Sequence, residues 1–205
     1  MSDQEAILKA RAERNRNPYT LWFVVLSFLA PVVLAYAVFF FGNVSSFSNK
    51  GELLNPVIDI DSLRLTDNTG NAMQREEITG HKWHMIYFAG PDCDEACNKT
   101  LYNMRQINKA VGKNASRLRH LLVHMAPADA SFRKLISSEY PAAEHANADR
   151  ATIAAALKAV SPQLDANEIY LMDPLGNIMM RFTRDQPPQD IIHDLNKLFK
   201  VSQIG

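Results

Sequence analysis

Residues 21–41 read LWFVVLSFLAPVVLAYAVFFF, without a single charged side chain. At about 1.5 Å rise per residue, a helix over this run reaches roughly 31 Å, the thickness of a bilayer hydrocarbon core. Tyr19 and Trp22 stand at one rim, where amphipathic rings settle, and Pro31 is tolerated better in a membrane span than in a soluble helix. Lys9, Arg11, Arg14 and Arg16 precede the run, and only Lys50 follows closely. The positive-inside rule therefore predicts a single-pass anchor over residues 19–42, residues 1–18 as a cytoplasmic tail, and the remainder on the far side of an inner (plasma) membrane. The competing reading is a cleaved signal peptide. Its apolar core is about 7–15 residues long and ends at a small-x-small site, which Asn43-Val44-Ser45 matches poorly. In a bacterium the far side is the periplasm, where two Cys form either a disulfide or a working dithiol.

Residues 43–55 (NVSSFSNKGELLN) are polar and small and read as a linker, leaving residues 56–205 as one domain. Lys and Arg total 22, as do Asp and Glu, so the chain lacks the cationic excess that phosphate binding requires, and nucleic acid is excluded as a partner. Two Cys cannot build a disulfide framework or a four-thiolate zinc site. Alternation predicts a strand over residues 57–65, and β-rich runs predict strands over 83–88, 118–125, 169–172 and 178–182. Helices are expected from Asp94 to about Gly112, over 131–140 and 149–160, and after Pro187-Pro188. Asp67-Asn68-Thr69-Gly70-Asn71 and Asp173-Pro174-Leu175-Gly176-Asn177 carry turn chemistry. A βαβ unit followed by ββα is the connectivity of the thioredoxin fold, an α/β class, with the first strand as an N-terminal extension. The crossover makes the two βαβ strands parallel.

Cys93 and Cys97 sit where a strand ends and a helix begins. Free peptide N–H groups there favour a thiolate, the form that exchanges disulfides and binds soft metals such as Cu(I). A spacing of four keeps both sulfurs on one side of the helix. Asp92, Asp94 and Glu95 oppose thiolate formation by like charge, or cap the helix. A plain stabilising disulfide, or two inert buried thiols, is the bland alternative.

Gly80-His81-Lys82-Trp83, Tyr87-Phe88, Cys93-x3-Cys97, Asn103-Met104 and Tyr170-Leu171-Met172-Asp173-Pro174-x-Gly176, together with the single N-terminal span, make the chain resemble the Sco/SenC family of membrane-anchored thioredoxin-like proteins. The resemblance implies copper bound by the two Cys and a distal His. It also implies a role in assembling the binuclear copper centre of cytochrome c oxidase subunit II, by copper delivery or by reducing its cysteines. The sequence departs from the family where Asp94 and Asn98, not Pro, follow the motif Cys. It departs again at Leu164-Asp165-Ala166-Asn167-Glu168, where the distal His would lie and none stands.

Among the six His, His124 is the candidate replacement ligand, with Met125 beside it: both lie at the C-terminal end of a strand expected to finish near the Cys loop. His120, Leu122 and His124 should share one strand face. His81 and His84 read as structural, and His193 as an exposed residue of the closing helix. Arg117 and Arg119 read as a solvated strand edge, and Asp59 and Asp61 as carboxylates without an acid–base partner. Two other functions stay open: a general periplasmic thiol–disulfide oxidoreductase, and a non-copper interaction module of the oxidase assembly machinery. Against the oxidoreductase stand a spacing of three residues between the Cys and the lack of a Pro immediately before Ile169.

Overall fold

The computed structural model describes residues 18–41, 49–161, 164 and 167–204. The cytoplasmic tail expected over residues 1–18, with its four basic residues, falls outside them except for Pro18. So do residues 43–48 of the linker, and Asp165 and Ala166. The chain divides into two compact units, Met1–Ser48 and Asn49–Gly205. The first contains helix α1, Pro18–Phe41, with Pro31 inside it. Its stretch Tyr19–Ala37 is long and apolar enough to cross a membrane.

The second unit is a six-stranded sheet with three-layer packing. Its elements are β1 (Glu52–Asp59), a 3-10 turn (Ile60–Leu63), α2 (Arg75–Thr79), β2 (Trp83–Ala89), α3 (Glu95–Ala110), a 3-10 segment (Gly112–Arg117), β3 (Leu118–His124), α4 (Ala130–Glu139), β4 (Glu144–Asn147), α5 (Arg150–Leu157), β5 (Ile169–Met172), β6 (Asn177–Phe182) and α6 (Pro188–Val201). Strand order is β1-β6-β5-β2-β3-β4. Strands β2, β3 and β4 run parallel, while β5, β6 and β1 add in antiparallel fashion.

Every residue of β2 is buried, because helices cover both sheet faces. Trp83, Met85 and Tyr87 pack with Leu101, Met104 and Ile107 of α3, Phe132 of α4, and Leu195 and Phe199 of α6. Ile86 and Phe88 point the other way, toward Ile60, Leu63, Ile78 and Ile153. Helix α3 is fixed at its start by Asp94, whose carboxylate accepts from the Cys97 N–H at 2.8 Å. Gly112, at φ +60, follows the Val111 cap.

The structure corrects three sequence expectations. The strand expected over 57–65 lies earlier, so the linker is shorter: Leu54 is buried and Glu52 already pairs with Arg181 of β6. Beyond Asp59, buried Ile60 and Leu63 are three apart, a helical spacing, and the Asp59 carboxylate caps Asp61 N–H at 2.9 Å. Asp59 and Asp61 both bind Arg75 of α2, an ion pair and not an acid–base partnership. The Arg75 hydrogen bond holds the Asp59 carboxyl below the usual carboxylate range, against the opposing effect of its burial. Arg117 is not at a solvated edge: its guanidinium donates to the carbonyls of Phe199, Ser202 and Ile204 at 3.2, 2.9 and 2.7 Å and stacks over the Phe199 ring.

Both outer strands are blunted. Pro56, which has no N–H, falls in the register shift of β1 against β6. The outer side of β4 is bridged by Thr66, which exchanges backbone hydrogen bonds with Asn147 at 2.9 and 2.8 Å.

A buried carboxylate fastens the start of this unit. Asp194 of α6 accepts from the backbone N–H groups of Lys50 at 2.7 Å and Gly51 at 2.8 Å, and its other oxygen lies 3.0 Å from His193 Nδ1.

Candidate redox and metal site

Cys93 and Cys97 form a disulfide between the end of β2 and the first turn of α3. Cys93 is half-buried, whereas Cys97 is buried at 4% exposure. An incoming thiolate therefore meets the Cys93 sulfur first and displaces Cys97, whose thiolate is released into the first turn of a helix. Asp94 shares that turn, and its negative charge counteracts the N-terminal field.

A cavity of about 200 Å³ adjoins Cys97, and Asp94, Met125, Tyr87 and Asn167 help line it. Met125 is held there by its N–H, which donates to the Ala89 carbonyl at 2.9 Å across the ends of β2 and β3. Tyr87 Oη donates to Asn167 Oδ1 at 2.8 Å. Burial, and secondarily the Asp94 charge, push the Tyr87 phenol above its ordinary pKa, so it stays protonated. Asn167 adopts φ +68, a left-handed conformation that Asn tolerates. Leu164 and Asn167 come from the segment where the family resemblance expects a His, and both line the Cys97 cavity.

His124 lies elsewhere. It shares the strand face of His120 and Leu122, as expected, but lines a separate cavity of about 640 Å³ with His145, Asn147 and Asn68. Its Nε2 is 3.1 Å from His145 Nδ1. Burial, then the neighbouring His145, lower the His124 pKa to about 4, and burial lowers that of His145. His84, with 1% of its side chain exposed, bridges the Lys82 carbonyl and Glu144, each at 3.0 Å. His193 is exposed on α6. Among the described residues no three His, Cys, Asp or Glu side chains converge as a metal-binding group. Sequence reasoning missed the Tyr87–Asn167 bond and the pairing of His124 with His145. The second miss follows from β4, whose residues Glu144–Asn147 carry no β-branched or aromatic signal.

A family model described as transmembrane-like, thioredoxin-like, C-terminal domain matches residues 83–202. No curated protein sequence matches the chain. Among solved structures, yeast Sco1 with copper bound is 19% identical with a TM-score of 0.53, over 76% of this chain and 95% of that one. A SCO1/SenC family lipoprotein from Bacillus anthracis is 17% identical with a TM-score of 0.52, over 72% of this chain and 98% of that one. Arabidopsis thaliana ScoI with copper bound is 13% identical with a TM-score of 0.51, over 75% of this chain and 99% of that one. These likenesses establish a thioredoxin-like fold shared with Sco proteins.

Proposed function

Since the chain belongs to the transmembrane-like, thioredoxin-like, C-terminal domain family, we propose that it is a membrane-anchored factor for cytochrome c oxidase assembly. In this reading it acts through Cys93 and Cys97, by thiol reduction or by Cu(I) delivery at the copper centre of oxidase subunit II. Helix α1 is the anchor, with the N-terminus cytoplasmic and the thioredoxin-like domain periplasmic. The observation that carries the reading is a disulfide at a strand-to-helix junction, half-buried at Cys93 and buried at Cys97.

In thiol reduction the chain enters as the dithiol. The Cys93 thiolate attacks a target disulfide and releases one target thiolate. Cys97 then attacks the Cys93 sulfur, forms the Cys93–Cys97 disulfide and releases the second. Two electrons pass from chain to target, and an upstream protein dithiol restores the starting state. In copper delivery the cargo is Cu(I), and the donors must be soft. The two thiolates qualify, as does the Met125 thioether on the wall of the Cys97 cavity. We therefore assign the third donor to Met125 in place of His124. That the pair stands as a disulfide also favours a second reading, a general thiol–disulfide oxidoreductase.

The deciding experiment is an anaerobic Cu(I) titration of the reduced full chain in detergent, against a competing chelator, with Cys93→Ser/Cys97→Ser as control. Stoichiometric binding lost in the control supports copper delivery. Reversible two-electron reduction without Cu(I) binding supports thiol exchange. A pair that neither binds Cu(I) nor reduces at thioredoxin-range potentials overturns both.

A further inference from the structure

The cavity between α4 and the C-terminal ends of β3 and β4 has no role in the Cys chemistry. His145 and Asn147 are two apart on β4 and so face the same way. His124 of β3 is the register partner of Asn147 and lies diagonal to His145. All three line the same cavity of about 640 Å³. From this juxtaposition we propose a second metal site: His124 Nε2, His145 Nδ1 and the Asn147 side-chain oxygen bind one divalent transition-metal cation of the Zn²⁺ or Cu²⁺ class.

Two observations support the assignment. The two ring nitrogens are 3.1 Å apart. Two imidazole nitrogens at about 2.0–2.1 Å from a tetrahedral ion lie about 3.3 Å apart, so their spacing already suits a shared ion, and ligation replaces the hydrogen bond between the rings as each turns a lone pair toward the metal. The Asn147 amide is oriented by its NH₂ group, which donates to the Asp67 carbonyl at 3.1 Å and to Asn68 Oδ1 at 3.4 Å, leaving Oδ1 as its remaining polar atom. Imidazole nitrogen with amide oxygen suits borderline divalent ions and not Cu(I), so this site and the sulfur site select different oxidation states.

The same geometry bounds the affinity. His124 Nδ1 is buried and has no hydrogen-bond partner among the described residues, so none of them raises its basicity from behind the ring. A neutral amide replaces the usual third charged or imidazole ligand. Binding far weaker than at a structural zinc site follows.

The test uses the oxidised full chain in detergent, in which both sulfurs are locked in the disulfide and do not compete. Titration with Zn²⁺ alone, against a chromophoric chelator, should give one equivalent bound. His124→Gln and His145→Gln should each weaken binding at least about tenfold, the scale on which even supporting residues of a metal site act. Independently of any variant, Cu²⁺ added to the unmodified chain should give an electron paramagnetic resonance spectrum with hyperfine coupling to two imidazole nitrogens. A spectrum with fewer than two, or Zn²⁺ binding unchanged in both variants, overturns the proposal. Because the thiols take no part, its failure is separate from that of the Cys93/Cys97 reading.

Discussion

Replacing Asp194 by Ala tests whether the domain is fastened at its first residues. The Asp194 side chain is fully buried and accepts the N–H groups of Lys50 and Gly51 at 2.7 and 2.8 Å. In Asp194→Ala the buried Gly51 donor loses its only acceptor on this side, and the part-buried Lys50 donor turns to water. A buried donor stripped of its partner costs about 1–3 kcal/mol, and hydrogen bonds to a charged acceptor sit at the upper end. Taking Gly51 in full and Lys50 at half gives a loss of about 2–4 kcal/mol. For a unit of this size that is a fall in Tm of roughly 5–15 °C. Trp83 is buried edge-on to Phe199 of α6, with ring centroids 6.0 Å apart, and reports on this helix. Urea unfolding followed by Trp83 fluorescence in a Trp22→Phe background should show a lower midpoint with the slope unchanged. Asp194→Asn keeps one acceptor oxygen and should lose about half as much. A loss below about 0.5 kcal/mol in the Ala variant, or an Asn variant as damaged as Ala, would refute the reasoning.

Two further outcomes are expected. Gly176 has φ +93, and a Cβ there would lie 2.9 Å from Ile60 Cγ2 and 3.2 Å from Arg75 Nη1; Gly176→Ala should destabilise by about 2–3 kcal/mol in chemical denaturation, combining backbone strain with overpacking. Burial lowers the His120 pKa to about 4, with the Met104 carbonyl opposing, His84 adding and Glu144 opposing. An unfolded His titrates near 6.5, so between about pH 6.5 and 4 the unfolded chain binds a proton that the folded chain refuses. Stability is therefore full above that window and falls as pH drops through it. The His120 share is about 2 kcal/mol between about pH 7 and pH 5, read as a difference in urea midpoints that His120→Leu should reduce by that share, while His124 keeps its own.

The parts of the fold legible in the sequence are those where one physical signal dominates. Residues 83–89 are a nearly continuous apolar run because the central strand buries both faces, and residues 118–124 carry the apolar Leu121-Leu122-Val123 centre of the neighbouring strand. Helix α6 announces itself by Pro188 and a repeating apolar face. Strand β4 was illegible: EHAN has neither pattern nor propensity, and it pairs only because β3 offers an edge. Strand β1 starts earlier than alternation over 57–65 places it, because residues 52–55 read as linker and its pairing to β6 is a long-range fact. At the site, the Cys pair could be located because a strand-to-helix junction is a local feature. Which side chains join it could not. His124 and Met125 are adjacent in sequence and so alternate across the sheet, which sends them to different cavities.

The blunted margins of the sheet decide how another protein can meet this one. A donor-less Pro in β1, and the Thr66 bridge along β4, leave neither border with the ladder of free donors and acceptors that an extended peptide needs in order to add as a seventh strand. Copies of the domain are likewise denied edge-to-edge polymerisation. A partner must instead engage the loops at the C-terminal ends of the parallel strands, the one end of the fold at which the disulfide and both cavities open.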